Sequence, residues 1–300
     1  STPSNSSAAS DVYKRQESAS YRVFKVFNAI ILTLISVAML YPFLYLVAQS
    51  FSSTQAIVAG EVGLIPKDFN VDTYKYVITD GKFIPYYGNT VVYSLIGTVC
   101  ALLFSALLAY PLSKAELYGG KAINKFIIFT MYFSGGMIPN YILMVSLGLR
   151  DTVASFILPG MISTYYVILM RSFFLTLPRE LEEAGEIDGL DKWGVFWRIA
   201  IPLSKPIIAT MTLFYVVQYW NDWFDAFLYL DTTSKWPVAY YLRQLISSAS
   251  GTSADAGDAM QIASNIKSCA MVLTSAPIIC IYPFIQKYFV QGMMLGGVKG

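Results

Sequence analysis

An all-α integral membrane protein with six transmembrane helices is the fold this sequence predicts, and three observations predict it. Of its 300 residues 55% are apolar and only 13% charged, with a mean hydropathy of +0.52, against roughly 25% charged residues in an ordinary soluble domain. Six stretches approach the ~20 apolar residues that a helix needs to cross the hydrocarbon core: about 24–50, 87–112, 124–147, 153–175, 205–230 and 268–290. Lysine and arginine sort between the connecting segments. With the N-terminus inside, fourteen of the 21 lie on the inner side, from Lys14 and Arg15 to Lys287 and Lys299, and seven on the outer side. The positive-inside rule therefore predicts a multi-pass membrane protein with both termini in the cytoplasm.

The same composition excludes several classes. A net charge of +2 without a basic tract argues against a nucleic-acid partner. The absence of histidine removes His-based catalytic triads, His metal sites and the commonest general base. Cys100, Cys269 and Cys280 lie in apolar runs with no CxxC spacing and read as small buried residues, so no metal site is expected. Gly119-Gly120-Lys121-Ala122 lacks the Ser/Thr and the upstream glycine of a phosphate loop. The chain is expected to bind no cofactor.

Taken in order, Ser1–Ser20 is a polar Ser/Asn/Ala-rich stretch that reads as a disordered tail rather than a signal peptide, and 21–300 form the membrane domain. The outer loops at about 51–86 and 231–267 are long enough for small structured caps that can meet an external partner. Breakers interrupt three spans: Gly135-Gly136 with Pro139, Pro159-Gly160, and Pro277 with Pro283. Such breaks either line a cavity or kink a packing helix.

The inner segment 176–204, between the fourth and fifth spans, carries the clearest local signals. Thr176 can cap and Pro178 open a first helix, in which Leu177, Leu181, Ala184 and Ile187 share a stripe while Glu180, Glu182, Glu183 and Glu186 face elsewhere. Gly189 offers a left-handed stop, and Asp191 can cap a second helix whose Trp193, Phe196, Trp197 and Ala200 form an aromatic face suited to a membrane surface. Two readings are open: a solvated connector, or a knob that docks into another protein, with Ala184 and Gly185 permitting close approach.

The fifth span holds Gln218, Tyr219, Trp220, Asn221, Asp222, Trp223 and Asp225. At 1.5 Å per residue from Pro206, Asn221 and Asp222 lie ~20–25 Å along the helix. Polar groups at that depth face a cavity or a partner, whereas at the outer interface a Trp and Tyr belt is ordinary. Aromatic faces beside amide and carboxylate groups suit a sugar. Tyr219, Trp220, Asn221, Asp222 and Trp223 are therefore candidates for a substrate path, with Asn89 beside Tyr86 and Tyr87 a further one.

Glu183-Ala184-Gly185, Asp188-Gly189, Phe196, Ile199, Pro202 and Pro206 resemble the EAA loop of ABC-importer permeases, E-A-A-x-x-x-G followed by I-x-L-P, with Gly185 in place of the second alanine. Phe133-Ser134-Gly135-Gly136-Met137-Ile138-Pro139, Ile168–Phe174, Tyr219–Trp223 and the tail from Tyr288 to Gly300 resemble the carbohydrate branch, in particular permeases for polysaccharides or uronate oligosaccharides. The resemblance implies a bacterial inner-membrane subunit that is not itself an enzyme. It would work with a second permease (a heterodimer), two ATPase subunits holding ATP and Mg, and an extracytoplasmic solute-binding protein. It implies that Glu182, Glu183, Ala184, Gly185, Asp188 and Gly189 couple to the ATPase, that the tail Gly292–Gly300 touches it, and that arginines such as Arg150 would suit a uronate. The alternative is a secondary, ion-coupled transporter using Asp222, which leaves the acidic knob unexplained. A membrane-embedded enzyme lacks a catalytic constellation.

Overall fold

The computed structural model describes residues 19–79, 81–251, 265–281 and 283, and these are helical or irregular throughout, with no strand among the described residues. Most of the polar tail, the end of the sixth apolar stretch, and Lys287, Tyr288–Gly292 and Gly292–Gly300 lie outside the described residues. The chain divides into two compact units, meeting at Asn70 and Val71.

In the first unit, α1 (Ala19–Ser50) is followed by a short α2 (Thr54–Val58). From Ser20 to Leu44 every residue of α1 is exposed. An unbroken helix that is apolar on all sides belongs in lipid or against another apolar surface. Its C-terminal end is tied locally. Ser52 Oγ donates to the Ala48 carbonyl at 2.7 Å and accepts from the Lys67 amide at 3.0 Å, while Ser53 accepts from the Ala56 amide at 3.2 Å to cap α2.

The second unit runs α3 (Asp72–Thr79), α4 (Phe83–Leu112), α5 (Gly120–Tyr132), α6 (Met137–Ser146), α7 (Val153–Ile157), α8 (Thr164–Phe174), α9 (Arg179–Ile187), α10 (Lys192–Val195), a π-helical turn at Phe196–Ala200, α11 (Ile201–Leu203), α12 (Lys205–Asn221), α13 (Phe224–Tyr229) and α14 (Val238–Gly251). A further apolar helix, α15, covers Asn265–Ile281. Among the described residues only α1 and α4 are single helices long and apolar enough to cross a membrane. Two further pairs qualify if each is one bent span: α5 with α6, bent by 112°, and Lys192–Leu203 with α12, bent by 80°. The six apolar stretches are thus not six unbroken rods, although Pro277, expected to break the sixth, stands inside the continuous helix α15. Gly135-Gly136 separates α5 from α6, Pro159-Gly160 separates α7 from α8, and Asp222-Trp223 separates α12 from α13.

The core is α4 against α12 and α8. Tyr93, Phe156, Met170, Phe174, Met211, Tyr215 and Tyr219 are buried in it. The open backbone at the α7/α8 break is closed by α12. Tyr219 Oη donates to the Ile157 carbonyl at 3.0 Å, Gln218 Nε2 donates to the Gly160 carbonyl at 3.0 Å, and Tyr215 Oη accepts from the Ser163 amide at 3.4 Å. A helix break in an apolar core needs such substitutes for its lost ladder.

A second set of contacts clamps the loop between α13 and α14. Asp151, at φ +57, accepts at Oδ1 from the Asp231 and Thr232 amides at 3.1 and 3.0 Å and at Oδ2 from Lys235 Nζ at 2.7 Å. Arg150 pairs with Asp231 at 2.9 Å. The Lys235 and Thr232 hydrogen bonds hold the Asp151 carboxyl well below the ordinary carboxylate range. A depressed folded pKa means that the clamp's contribution is complete above the unfolded value of about 3.9 and is lost as pH falls through the folded one. The clamp should therefore survive acidification through the ordinary carboxylate range. Asp151→Asn should speed hydrogen exchange at the Asp231 and Thr232 amides at neutral pH; unchanged exchange would mean that the loop is held by its other contacts.

Candidate functional site

Local rules shape the 176–204 insert. Pro178 stands at the N-cap of α9 in extended conformation, and Glu180 and Glu182 occupy its first turn, where the helix dipole favours negative charge. Thr176 does not cap this helix, contrary to expectation. Its hydroxyl donates to the Phe173 carbonyl at 2.7 Å and closes the end of α8 instead. Gly189, at φ +86, ends α9: its amide donates to the Glu186 carbonyl at 3.0 Å and the Leu190 amide to the Gly185 carbonyl at 2.9 Å, a Schellman stop. Asp191 Oδ1 accepts from the Gly194 amide at 2.7 Å and caps α10.

The apolar stripe is divided: Leu177 packs partly on the core, whereas Leu181, Ala184 and Ile187 are exposed, with Ile187 86% accessible. The buried residue of α9 is Gly185, with the side chains of Ile199, Leu190 and Val195 gathered where its β-carbon would stand. Periodicity located a stripe but not its partner. The aromatic face is also split: Phe196 and Ala200 are buried, whereas Trp193 and Trp197 are exposed. The wide turn at Phe196–Ala200 breaks the 3.6-residue spacing that the pattern assumes. Phe196 instead meets Tyr110 of α4 at 5.1 Å between ring centroids.

α9 therefore presents Glu183, Ala184, Ile187 and Asp188 outward, an acidic rim around small and apolar groups. Lys192 pairs with Glu186, which raises the Lys192 pKa. Glu182 turns the other way, half-buried, and pairs with Lys114 just beyond α4. A cavity of about 540 Å³ lies behind α9, lined among others by Tyr110, Lys114, Phe174, Glu182 and Phe196.

The substrate-path candidates are spread over two settings. Tyr219 and Trp220 are buried, and their polar atoms are used: Tyr219 by Ile157, and Trp220 Nε1 by the Thr274 carbonyl at 3.0 Å. Asn89 Nδ2 ties α4 to the α13/α14 loop through the Ser234 and Trp236 carbonyls at 2.7 and 3.0 Å. Asn221, Asp222 and Trp223 sit at the α12/α13 break. Asn221 is exposed and Asp222 Oδ1 accepts from the Phe224 and Asp225 amides, both at 3.1 Å. The Arg243 guanidinium lies over the Trp223 ring, 4.8 Å from its centroid. Sequence reasoning missed Arg243, because α14 brings it from twenty residues away and no local spacing marks it. Arg150, singled out for a uronate, is committed to Asp231.

Residues 16–295 match the model of the family described as "Binding-protein-dependent transport system inner membrane component". The chain belongs to that family. Protein LplC of Bacillus subtilis (strain 168) is 42% identical to this permease over 294 residues, 97% of this chain and 99% of the relative. The polygalacturonan/rhamnogalacturonan transport system permease protein YtcP of the same strain is 39% identical over 266 residues, 86% of this chain and 92% of the relative. Among solved structures, a crystal structure of a bacterial ABC transporter involved in the import of the acidic polysaccharide alginate matches with a TM-score of 0.83 at 33% identity, covering 91% of this permease and 98% of that chain. The permease is thus an inner-membrane transport component of ABC-importer type and not an enzyme.

Proposed function

We propose that this permease forms, with a second and different permease, the translocation path of an ATP-driven importer for an acidic oligosaccharide. Two of the relatives reported above are named for polygalacturonan/rhamnogalacturonan and for the acidic polysaccharide alginate. In this reading six spans cross the membrane, some of them bent, with both termini and the 176–204 insert in the cytoplasm, and a solute-binding protein delivers cargo to the outer face. ATP and Mg are held by two partner ATPase subunits.

The observation that carries the coupling assignment is the outward face of α9. Glu183, Ala184, Ile187 and Asp188 are exposed on a short helix fixed at both ends by Pro178 and the Gly189 stop. Exposed apolar groups inside an acidic rim suit a basic-edged groove on the ATPase. Glu182, Gly185 and Gly189 set the helix's attitude. For the path, Asn221, Asp222 and Trp223 at the α12/α13 break remain the better-placed residues. Tyr219, Trp220 and Asn89 shape its wall through the bonds described above. Arg243 over Trp223 adds a cation beside an aromatic face, a pairing that suits a uronate ring.

The test is the complex reconstituted in vesicles with its binding protein, assayed for uptake of oligogalacturonides and of neutral oligosaccharides of equal length. Uptake of the acidic series alone, with binding-protein-stimulated ATP hydrolysis that falls several-fold in Glu183→Ala and Gly189→Asp, is the expected result. Equal uptake of both series would remove the acidic-cargo reading. Full stimulation in both variants would reduce the insert to a connector.

A further inference from the structure

The insert is covalently continuous with α8 and α12, yet its half-buried ion pair reaches neither. Glu182 pairs with Lys114, the second residue after α4, with the two side chains only 13% and 26% exposed. Lys114 Nζ also lies over the Tyr110 ring, 4.3 Å from its centroid. Tyr110 in turn meets Phe174 of α8 at 5.5 Å and Phe196 of the π turn at 5.1 Å. The end of α4 is finished by side chains rather than left to fray: Ser113 Oγ donates to the Tyr110 carbonyl at 2.6 Å and Arg171 Nε to the Leu112 carbonyl at 2.8 Å.

Close packing does not make this connection. α9 packs on α10 and the π turn, and the cavity of about 540 Å³ lies between α9 and the end of α4, with Lys114 and Glu182 both on its wall. Across that gap the Lys114–Glu182 pair is the shielded link, beside an exposed pair at 3.6 Å between Arg179 of α9 and Glu116 in the segment after α4. Being shielded from water, the Lys114–Glu182 pair is a stiffer and more selective link than an exposed pair, and breaking one partner would strand the other.

We propose that Lys114 is a positioning residue that transmits displacement of α9 to α4. α4 is the helix packed most extensively against α12, so a push on α9 reaches both walls of the α4/α12 contact: through the chain on one side and through Lys114 on the other. Without the link α9 tilts into the cavity and α4 stays behind. This inference rests on the reading of α9 as the ATPase-facing element.

The experiment uses the reconstituted complex with its binding protein and compares wild type, Lys114→Glu, Glu182→Lys and the double exchange, with Lys114→Met as a milder variant and Glu183→Ala as the docking control. The readout is solute transported per ATP hydrolysed, measured on complexes that co-purify with their ATPase subunits. Each single exchange, and Lys114→Met, should lower that ratio by about tenfold, within the range of an ordinary coupling energy, and the double exchange should recover much of it. An unchanged ratio in the single variants overturns the proposal, as does a loss that the double exchange fails to restore, since a merely structural role would not care which side carries the charge. If Glu183→Ala lowers stimulation while the Lys114 variants keep their ratio, the docking reading stands and the strut falls. If Glu183→Ala changes nothing, the docking reading fails first and carries the strut with it.

Discussion

Replacing Gly185 by leucine is expected to lower stimulated transport by about one to two orders of magnitude, whereas replacing it by alanine is expected to leave most of it. The difference lies in what stands opposite. A β-carbon at Gly185 meets the terminal Cδ1 of Ile199 first, and then Leu190 Cδ1 at 3.3 Å and Val195 Cγ2 at 3.7 Å. A methyl group can be admitted by a rotation of the flexible end of Ile199; the E-A-A motif that this segment resembles carries alanine there. Three further carbons have nowhere to go, because the Leu190 backbone is held by the hydrogen bond its amide donates to the Gly185 carbonyl and Val195 is buried. Overpacking of this kind costs about 1–3 kcal/mol, and if α9 escapes it by tilting, the docking equilibrium shifts by about 5- to 150-fold. Binding-protein-stimulated ATP hydrolysis and uptake of the reconstituted complex measure the effect. A leucine variant as active as wild type would show that the attitude of α9 does not matter to its partner.

The largest effect on stability is expected from Tyr219→Ala. The ring is fully buried against Phe156 and the Gly97 backbone, and its hydroxyl closes the Ile157 carbonyl at the α7/α8 break. Truncating a buried aromatic costs about 3–5 kcal/mol, and the stranded carbonyl adds to that. Thermal unfolding of the detergent-solubilised protein should fall by on the order of 10 °C. Tyr219→Phe keeps the ring and loses only the hydrogen bond, so it should fall by a small part of that. If the two variants melt alike, the hydroxyl and not the ring supports the break.

What the sequence made legible was what local chemistry decides. Gly189 and Asp191 act within their own turns, and the breaks at Gly135-Gly136 and Pro159-Gly160 stand where the breakers stand. The class of protein was legible because composition is a bulk property. Illegible was whatever depends on a partner far along the chain. No spacing rule joins Lys114 to Glu182, Asn89 to Ser234 or Trp223 to Arg243. Periodicity gave the Leu181–Ala184–Ile187 stripe but could not say that a residue without a side chain would be the one to face inward. Thr176 fitted a cap by position and was taken by the preceding helix. The substrate-path candidates divided for the same reason: depth in an apolar run marks a polar group as engaged, without saying whether a ligand or a neighbouring carbonyl engages it.

The contact between Gly160 and Gln218 sets a rule for inheritance. A β-carbon at position 160 would stand 2.6 Å from Gln218 Nε2, so a side chain there displaces the amide that serves the Gly160 carbonyl. Any lineage that gains a side chain at 160 must at once shorten or redirect residue 218 and find another donor for the carbonyl. Any lineage that loses the amide at 218 relaxes the constraint on 160. The two positions, far apart in the gene, are therefore expected to co-vary.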